Sequence, residues 1–136
     1  SVLGKEGMVD RWQVCHFVEP CSVLIDVGVA SVGAGASLHD HDMGVRGFVI
    51  DSMTPETETS CHYFWGMARN FQIDDAGVSQ RIKTGQDGIF NEDIEVLERQ
   101  QKSIADNGDM PLRVLNIDSG GAHARRVIER LMKQDA

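Results

Sequence analysis

The stretch Val45-Arg46-Gly47-Phe48-Val49-Ile50-Asp51-Ser52, then Thr54-Pro55-Glu56-Thr57, then Thr59-Ser60-Cys61-His62-Tyr63-Phe64-Trp65-Gly66-Met67-Ala68-Arg69, sets the fold class. Its first part is short and rich in β-branched and aromatic residues, which predicts a strand over residues 45–52. Thr54-Pro55-Glu56-Thr57 predicts a turn, because proline fixes φ and threonine hydroxyls bond the local backbone. Residues 59–69 then predict a second, longer strand. Its two faces, Ser60/His62/Phe64/Gly66/Ala68 and Cys61/Tyr63/Trp65/Met67, are both partly apolar, so both are expected to be covered.

Working outward, Val23-Leu24-Ile25-Asp26-Val27-Gly28-Val29 predicts another strand, the first assigned along the chain. A loop over residues 30–44 follows it and carries His39-Asp40-His41-Asp42. C-terminal to the strands, Asp74 or Asp75 can cap a helix running to about residue 105, with Gly85 or Gly88 as the places where it could break. Asn107-Gly108-Asp109-Met110-Pro111 ends that helix. Asp118-Ser119 forms a capping pair for a last helix over residues 122–133. Its apolar stripe is Ala124, Val127, Ile128 and Leu131, and Arg130 and Lys133 in its last turn suit the negative end of the helix dipole. Strands followed by helices predict an α+β fold, an antiparallel sheet with helices on one side.

The 136 residues make one domain or part of one. A net charge of -8 argues against nucleic-acid binding, which needs clustered Lys and Arg, and fits a cytoplasmic protein. No run approaches the roughly 20 apolar residues of a membrane span, and the N-terminus lacks a signal pattern. The chain starts at Ser1 with no initiator Met and reads as a piece of a longer protein. Cys15, Cys21 and Cys61 form no CxxC pair, which predicts free thiols and a reducing compartment.

One residue breaks the helical pattern. With residues 89–101 on a helix at roughly 100° per residue, Phe90, Ile94, Leu97, Gln101 and Ile104 share a face, and Glu92, Glu95, Arg99 and Lys102 point away. Asp93 falls about 40° from Leu97, inside the apolar stripe. A carboxylate there needs a cation, hydrogen-bond donors or a metal. A buried arginine, backbone donors after a break near Gly88, and a metal ion all remain open on pattern alone.

Three blocks give the chain a resemblance. They are Thr54-Pro55-Glu56-Thr57-Glu58-Thr59 with Ser60-Cys61-His62-Tyr63-Phe64-Trp65; Ile89-Phe90-Asn91-Glu92-Asp93 with Gln100-Gln101; and Asn116-Ile117-Asp118-Ser119-Gly120-Gly121 with Ala124-Arg125-Arg126. Together with Arg69-Asn70-Phe71, their order and spacing resemble the oxygenase subunits of vanillate O-demethylases, Rieske-type non-haem iron oxygenases. The resemblance spans roughly residues 10–133.

The resemblance implies a helix-grip (START-like) sheet packed against a C-terminal helix, here as a partial domain: the C-terminal portion of an oxygenase catalytic domain. It implies a mononuclear Fe(II) held by two histidines and one carboxylate, with Asp93 matching the carboxylate. It implies electrons passed from an NADH-dependent reductase through a Rieske [2Fe–2S] cluster, commonly within a homotrimer. Oxygen insertion into a methoxy C–H bond would give a hemiacetal that collapses to a phenol and formaldehyde. The family's two histidine ligands and its Rieske Cys-x-His and Cys-x-x-His pairs lie upstream of the matched blocks, and nothing here matches them. Relatives commonly carry a substrate-facing polar residue, often His, on the strand before the Thr-Pro-Glu-Thr turn. Here that stretch reads Val49-Ile50-Asp51-Ser52, and an aspartate would disfavour an anionic benzoate.

Asp51, His62 and Phe64 are therefore the candidate substrate-binding residues. His62 could polarise a substrate oxygen or pass a proton, or be a core histidine bonded to a backbone carbonyl. Trp65 and Tyr63 read as core. Arg125 and Arg126 read as solvent-facing, one of them able to pair with Glu129 across a turn. Two rival readings follow from the residues: a non-catalytic helix-grip module binding an apolar small molecule, and a small metal enzyme built on His39-x-His41.

Overall fold

The computed structural model describes residues 7–34, 44–108 and 115–134. They form two units, residues 7–34 and 44–71 with 115–134, and residues 72–108.

The first unit is built on a four-stranded antiparallel meander of β1 (Val9–Val18), β2 (Ser22–Ser31), β3 (Val45–Pro55) and β4 (Cys61–Arg69), in the order β1-β2-β3-β4. The α+β expectation holds. β2, β3 and β4 fall where the sequence placed strands; β2 and β3 extend a few residues further, and β4 starts two residues later, at Cys61. β1 is an addition. Its sequence, Val-Asp-Arg-Trp-Gln-Val-Cys-His-Phe-Val, mixes polar and apolar residues on both faces, so it shows no clean alternation.

Register fixes the faces, because alternate residues of a strand point the same way. Trp12↔Gly28 and Gly28↔Arg46 pair across the first three strands, and Val23↔Asp51 and Asp51↔Trp65 pair across the last three. One face thus holds Trp12, Asp26, Gly28, Arg46, Phe48, His62 and Phe64. The other holds Val23, Val29, Val49, Asp51 and Trp65. Trp12, Val29, Ala30 and Val49 are the buried apolar residues of this unit.

β4 is not covered on both sides as expected. Its first four residues, Cys61 to Phe64, are exposed, and among the described residues it is an edge strand of the sheet. Trp65 is half-buried, as a core position would be, whereas Tyr63 is exposed.

Hydroxyl bonding closes the β3–β4 turn. Thr57 Oγ1 accepts from the backbone N–H groups of Thr59 at 3.2 Å and Ser60 at 3.1 Å, and Ser60 Oγ donates to Glu56 at 2.9 Å. At the other end of the pair, Asn70 Oδ1 accepts from Arg46 N at 2.8 Å while Asn70 N donates to Arg46 O at 3.1 Å. Asn70 thus continues the ladder past the end of β4.

α2 (Ser119–Gln134) starts three residues earlier than expected, after a 3-10 turn at Asn116–Asp118. Asp118 accepts from Leu115 N at 2.8 Å. Ala124, Val127 and Leu131 are half-buried, Ile128 is exposed, and Arg130 donates to Glu19 at 3.0 Å. Arg125 and Arg126 are exposed. Arg126 approaches His123 at 3.5 Å rather than Glu129.

The second unit holds α1 (Ala76–Asn107). Asp75 caps it by accepting from Val78 N at 3.0 Å, and Gly108, at φ +55°, ends it by donating to Ile104 O. The helix runs unbroken through Gly85 and Gly88. Glycine lowers helix propensity by about 1 kcal/mol without forbidding the helix, and flanking i,i+4 pairs (Lys83–Asp87, Glu95–Arg99, Lys102–Asp106) favour continuity.

Candidate functional site

Two aspartates are buried in the sheet, Asp26 and Asp51. Their surroundings differ.

Asp26 is fully partnered. Trp12 Nε1 donates to Oδ1 at 3.0 Å, Arg46 Nε donates to Oδ1 at 3.0 Å, and Arg46 Nη2 donates to Oδ2 at 2.8 Å. The Arg46 guanidinium also lies over the Phe48 ring, 4.5 Å from its centroid. Trp12 and Arg46 both flank Gly28, and each reaches along β2 to Asp26. Only glycine fits between them: a Cβ there would meet Trp12 Cζ2 at 2.1 Å and the Val45 carbonyl at 2.6 Å. Burying a charge is costly unless it is paired and hydrogen-bonded, and this one is both. The cluster ties three strands together. The argument that singled out Asp93 would have found it, since Asp26 interrupts an otherwise apolar strand.

Asp51 has no such partners. It is 6% exposed, and its Oδ1 is buried with no hydrogen-bond partner. Its cross-strand neighbours are Val23 and Trp65, with Val49 and Met53 on either side along β3. Among the described residues no cation pairs with it. A buried polar group left unsatisfied calls for an explanation.

His62 and Phe64 lie on the opposite face from Asp51, so the three candidate substrate residues do not share one surface of the sheet. Both are exposed, with ring centroids 6.2 Å apart, and His62 Nε2 lies 3.6 Å from Glu56 Oε1. His62 is thus not a core histidine bonded to a carbonyl.

Asp93 lies in the middle of α1, so it caps nothing. It is exposed, and no hydrogen bond or ion pair among the described residues engages it. The stripe it interrupts is exposed too, at Ile94, Leu97 and Ile104. Of the three accounts of Asp93, the buried arginine and the backbone cap are therefore absent among the described residues. His39 and His41 lie outside the described residues. Among those described, no group of three His, Cys, Asp or Glu is arranged to hold a metal. The three cysteines are free, and no described helix is long and apolar enough to cross a membrane.

A four-stranded meander with a long capped helix and a C-terminal helix defines an α+β oxygenase-domain fold when set beside known proteins. The chain superposes on the crystal structure of apo dicamba monooxygenase with a TM-score of 0.80 at 29% identity, covering 98% of this chain and 41% of that one. Residues 1–134 match the family model of the vanillate O-demethylase oxygenase C-terminal domain, and the chain belongs to that family. It is 49% identical over 133 residues to a vanillate O-demethylase oxygenase subunit from a Pseudomonas species, covering 98% of this chain and 40% of that protein. It is 31% identical to the oxygenase component of dicamba O-demethylase from Stenotrophomonas maltophilia, covering 98% and 39% respectively. The chain thus spans about 40% of the length of these relatives.

Proposed function

We propose that this chain is the C-terminal portion of the catalytic domain of a Rieske-type aromatic oxygenase that demethylates aromatic ethers. Asp93 would be its carboxylate ligand to a mononuclear Fe(II). What supports this reading is the resemblance that matches Asp93 to the family's carboxylate ligand, together with its mid-helix position, where it neither caps the helix nor pairs with a cation among the described residues. The relatives named for O-demethylation of vanillate and dicamba support the reaction class.

The residues fit one share of the iron site. A two-histidine, one-carboxylate triad leaves positions open for dioxygen, and α1 offers a rigid support for the carboxylate. The two imidazoles would come from the part of the parent oxygenase that precedes this chain, as would the Rieske [2Fe–2S] cluster. The iron, when bound, supplies dioxygen activation for insertion into the methoxy C–H bond. An NADH-dependent reductase would deliver the electrons, and a homotrimer would bring the cluster of one subunit to the iron of the next. Asp51, His62 and Phe64 would contribute to substrate binding from their separate faces, within a cytoplasmic enzyme.

The test is Asp93→Asn in the full-length oxygenase that contains this chain. Metal analysis should show loss of the mononuclear iron, with the visible absorption of the Rieske cluster unchanged and formaldehyde release abolished. Retention of that iron at the level of the parent enzyme would remove Asp93 from the site.

A further inference from the structure

We infer that the outward face of α2 is a docking surface for an acidic protein, the reductase that delivers electrons to the parent oxygenase. The inference rests on the oxygenase reading and gives its reductase a place to bind.

α2 holds four of the chain's 13 Lys and Arg residues, Arg125, Arg126, Arg130 and Lys133, but one of its 21 Asp and Glu residues, Glu129. The chain as a whole carries a charge of -8, so α2 is a basic patch on an acidic protein. At roughly 100° per residue, Arg125, Arg126, Glu129 and Lys133 fall opposite the half-buried stripe of Ala124, Val127 and Leu131, and all four are exposed. Pairing within the chain uses little of this charge. Arg130 is tied to Glu19 and Arg126 approaches His123, but Arg125 and Lys133 engage no partner among the described residues. Glu129 lies one turn from each of them and pairs with neither. Of the four cations only Lys133 lies in the last turn, where the helix dipole favours it. Beside Arg125 on the same wheel stand two exposed apolar side chains, Ile128 and Met132, the latter 68% exposed. Arginine and methionine are enriched in protein interfaces relative to the rest of the surface. A reductase must find the oxygenase at every turnover. Such electron-transfer encounters bury little area and depend on electrostatic steering. A basic partner would be drawn to the acidic chain at large, whereas an acidic one is drawn to α2. The other occupant that this charge suits is a second copy of the acidic chain, and the test separates the two.

The test is the rate at which the NADH-reduced reductase reduces the Rieske cluster of the full-length oxygenase, followed by stopped-flow absorbance at several ionic strengths. This readout needs neither substrate nor mononuclear iron, so it is independent of Asp93. Arg125→Glu combined with Arg126→Glu should lower the second-order rate constant at least about tenfold at low salt and flatten its salt dependence. Arg125→Lys combined with Arg126→Lys keeps the charge and should restore most of the parent rate. Met132→Ala should lower the rate while leaving its salt dependence as in the parent. Dithionite, a small reductant, should reduce the cluster fully in every variant, and light scattering should give the subunit number of the parent. Lys133→Glu alone should lower the rate in the same direction by a smaller factor, and it carries the test if the double variant does not fold. A rate constant unchanged by charge reversal would overturn the inference. So would a change of subunit number in the charge-reversed protein, which would assign this face to a second copy. A full-length protein without Rieske absorption would end the oxygenase reading, and this inference with it.

Discussion

Trp12 Nε1 donates to Asp26 Oδ1 at 3.0 Å from the neighbouring strand, passing over Gly28 to do so. Arg46 reaches the same carboxylate from the other side. The three side chains join β1, β2 and β3 on one face.

Arg46→Met should be strongly destabilising. It removes the cation from a carboxylate whose side chain is 5% exposed, while Arg46 itself is 25% exposed. Breaking one side of a buried pair costs about 3–5 kcal/mol, and the partial exposure of Arg46 places the expected loss near the lower end. Urea unfolding with tryptophan fluorescence measures it. A loss below about 1 kcal/mol would mean the pair behaves as a surface one.

Gly28→Val should displace the Trp12 indole. The added side chain would occupy the space of Trp12 Cζ2 and meet the Val45 carbonyl. Overpacking of this kind costs about 1–3 kcal/mol. The near-ultraviolet circular dichroism of the tryptophans should change along with the unfolding midpoint, and an unchanged spectrum would count against the packing described.

Asp75→Ala should cost about 1 kcal/mol by removing the cap on Val78 N. Asp75→Asn should recover most of that loss, since asparagine caps almost as well. Comparing the two unfolding midpoints separates the cap from any other effect of the charge.

Asp93→Asn should leave metal-free stability within about 0.5 kcal/mol of the parent, as expected of an exposed side chain without partners. Protection against unfolding by added Fe(II) should be lost in the variant of the full-length oxygenase. A large loss of stability without metal would instead assign Asp93 a structural role.

Glu19→Ala should cost less than about 1 kcal/mol, because the Glu19–Arg130 pair is exposed on both sides. Thermal unfolding at low and high salt should move little. A larger loss would mean that this pair is a main attachment of α2.

The sequence by itself determined the class of fold, the three inner and C-terminal strands and both helices, whereas the apolar stripe expected to be buried around Asp93 is exposed. These follow from local signals: β-branched runs, a Thr-Pro-Glu-Thr turn, an aspartate cap and helical periodicity. It did not determine β1, whose residues alternate in no simple way and are held as a strand by pairing with β2. It left open a break at Gly85 or Gly88 that the continuous helix closes. Only the tertiary structure decided which face each candidate residue occupies, because register depends on pairing between strands distant in sequence. That register sets Asp51 against Val23 and Trp65, away from His62 and Phe64. It also separates two buried aspartates that look alike in the sequence. Asp26 lies beside Gly28, where Trp12 and Arg46 can both reach it, whereas Asp51 lies among apolar neighbours with no donor at Oδ1.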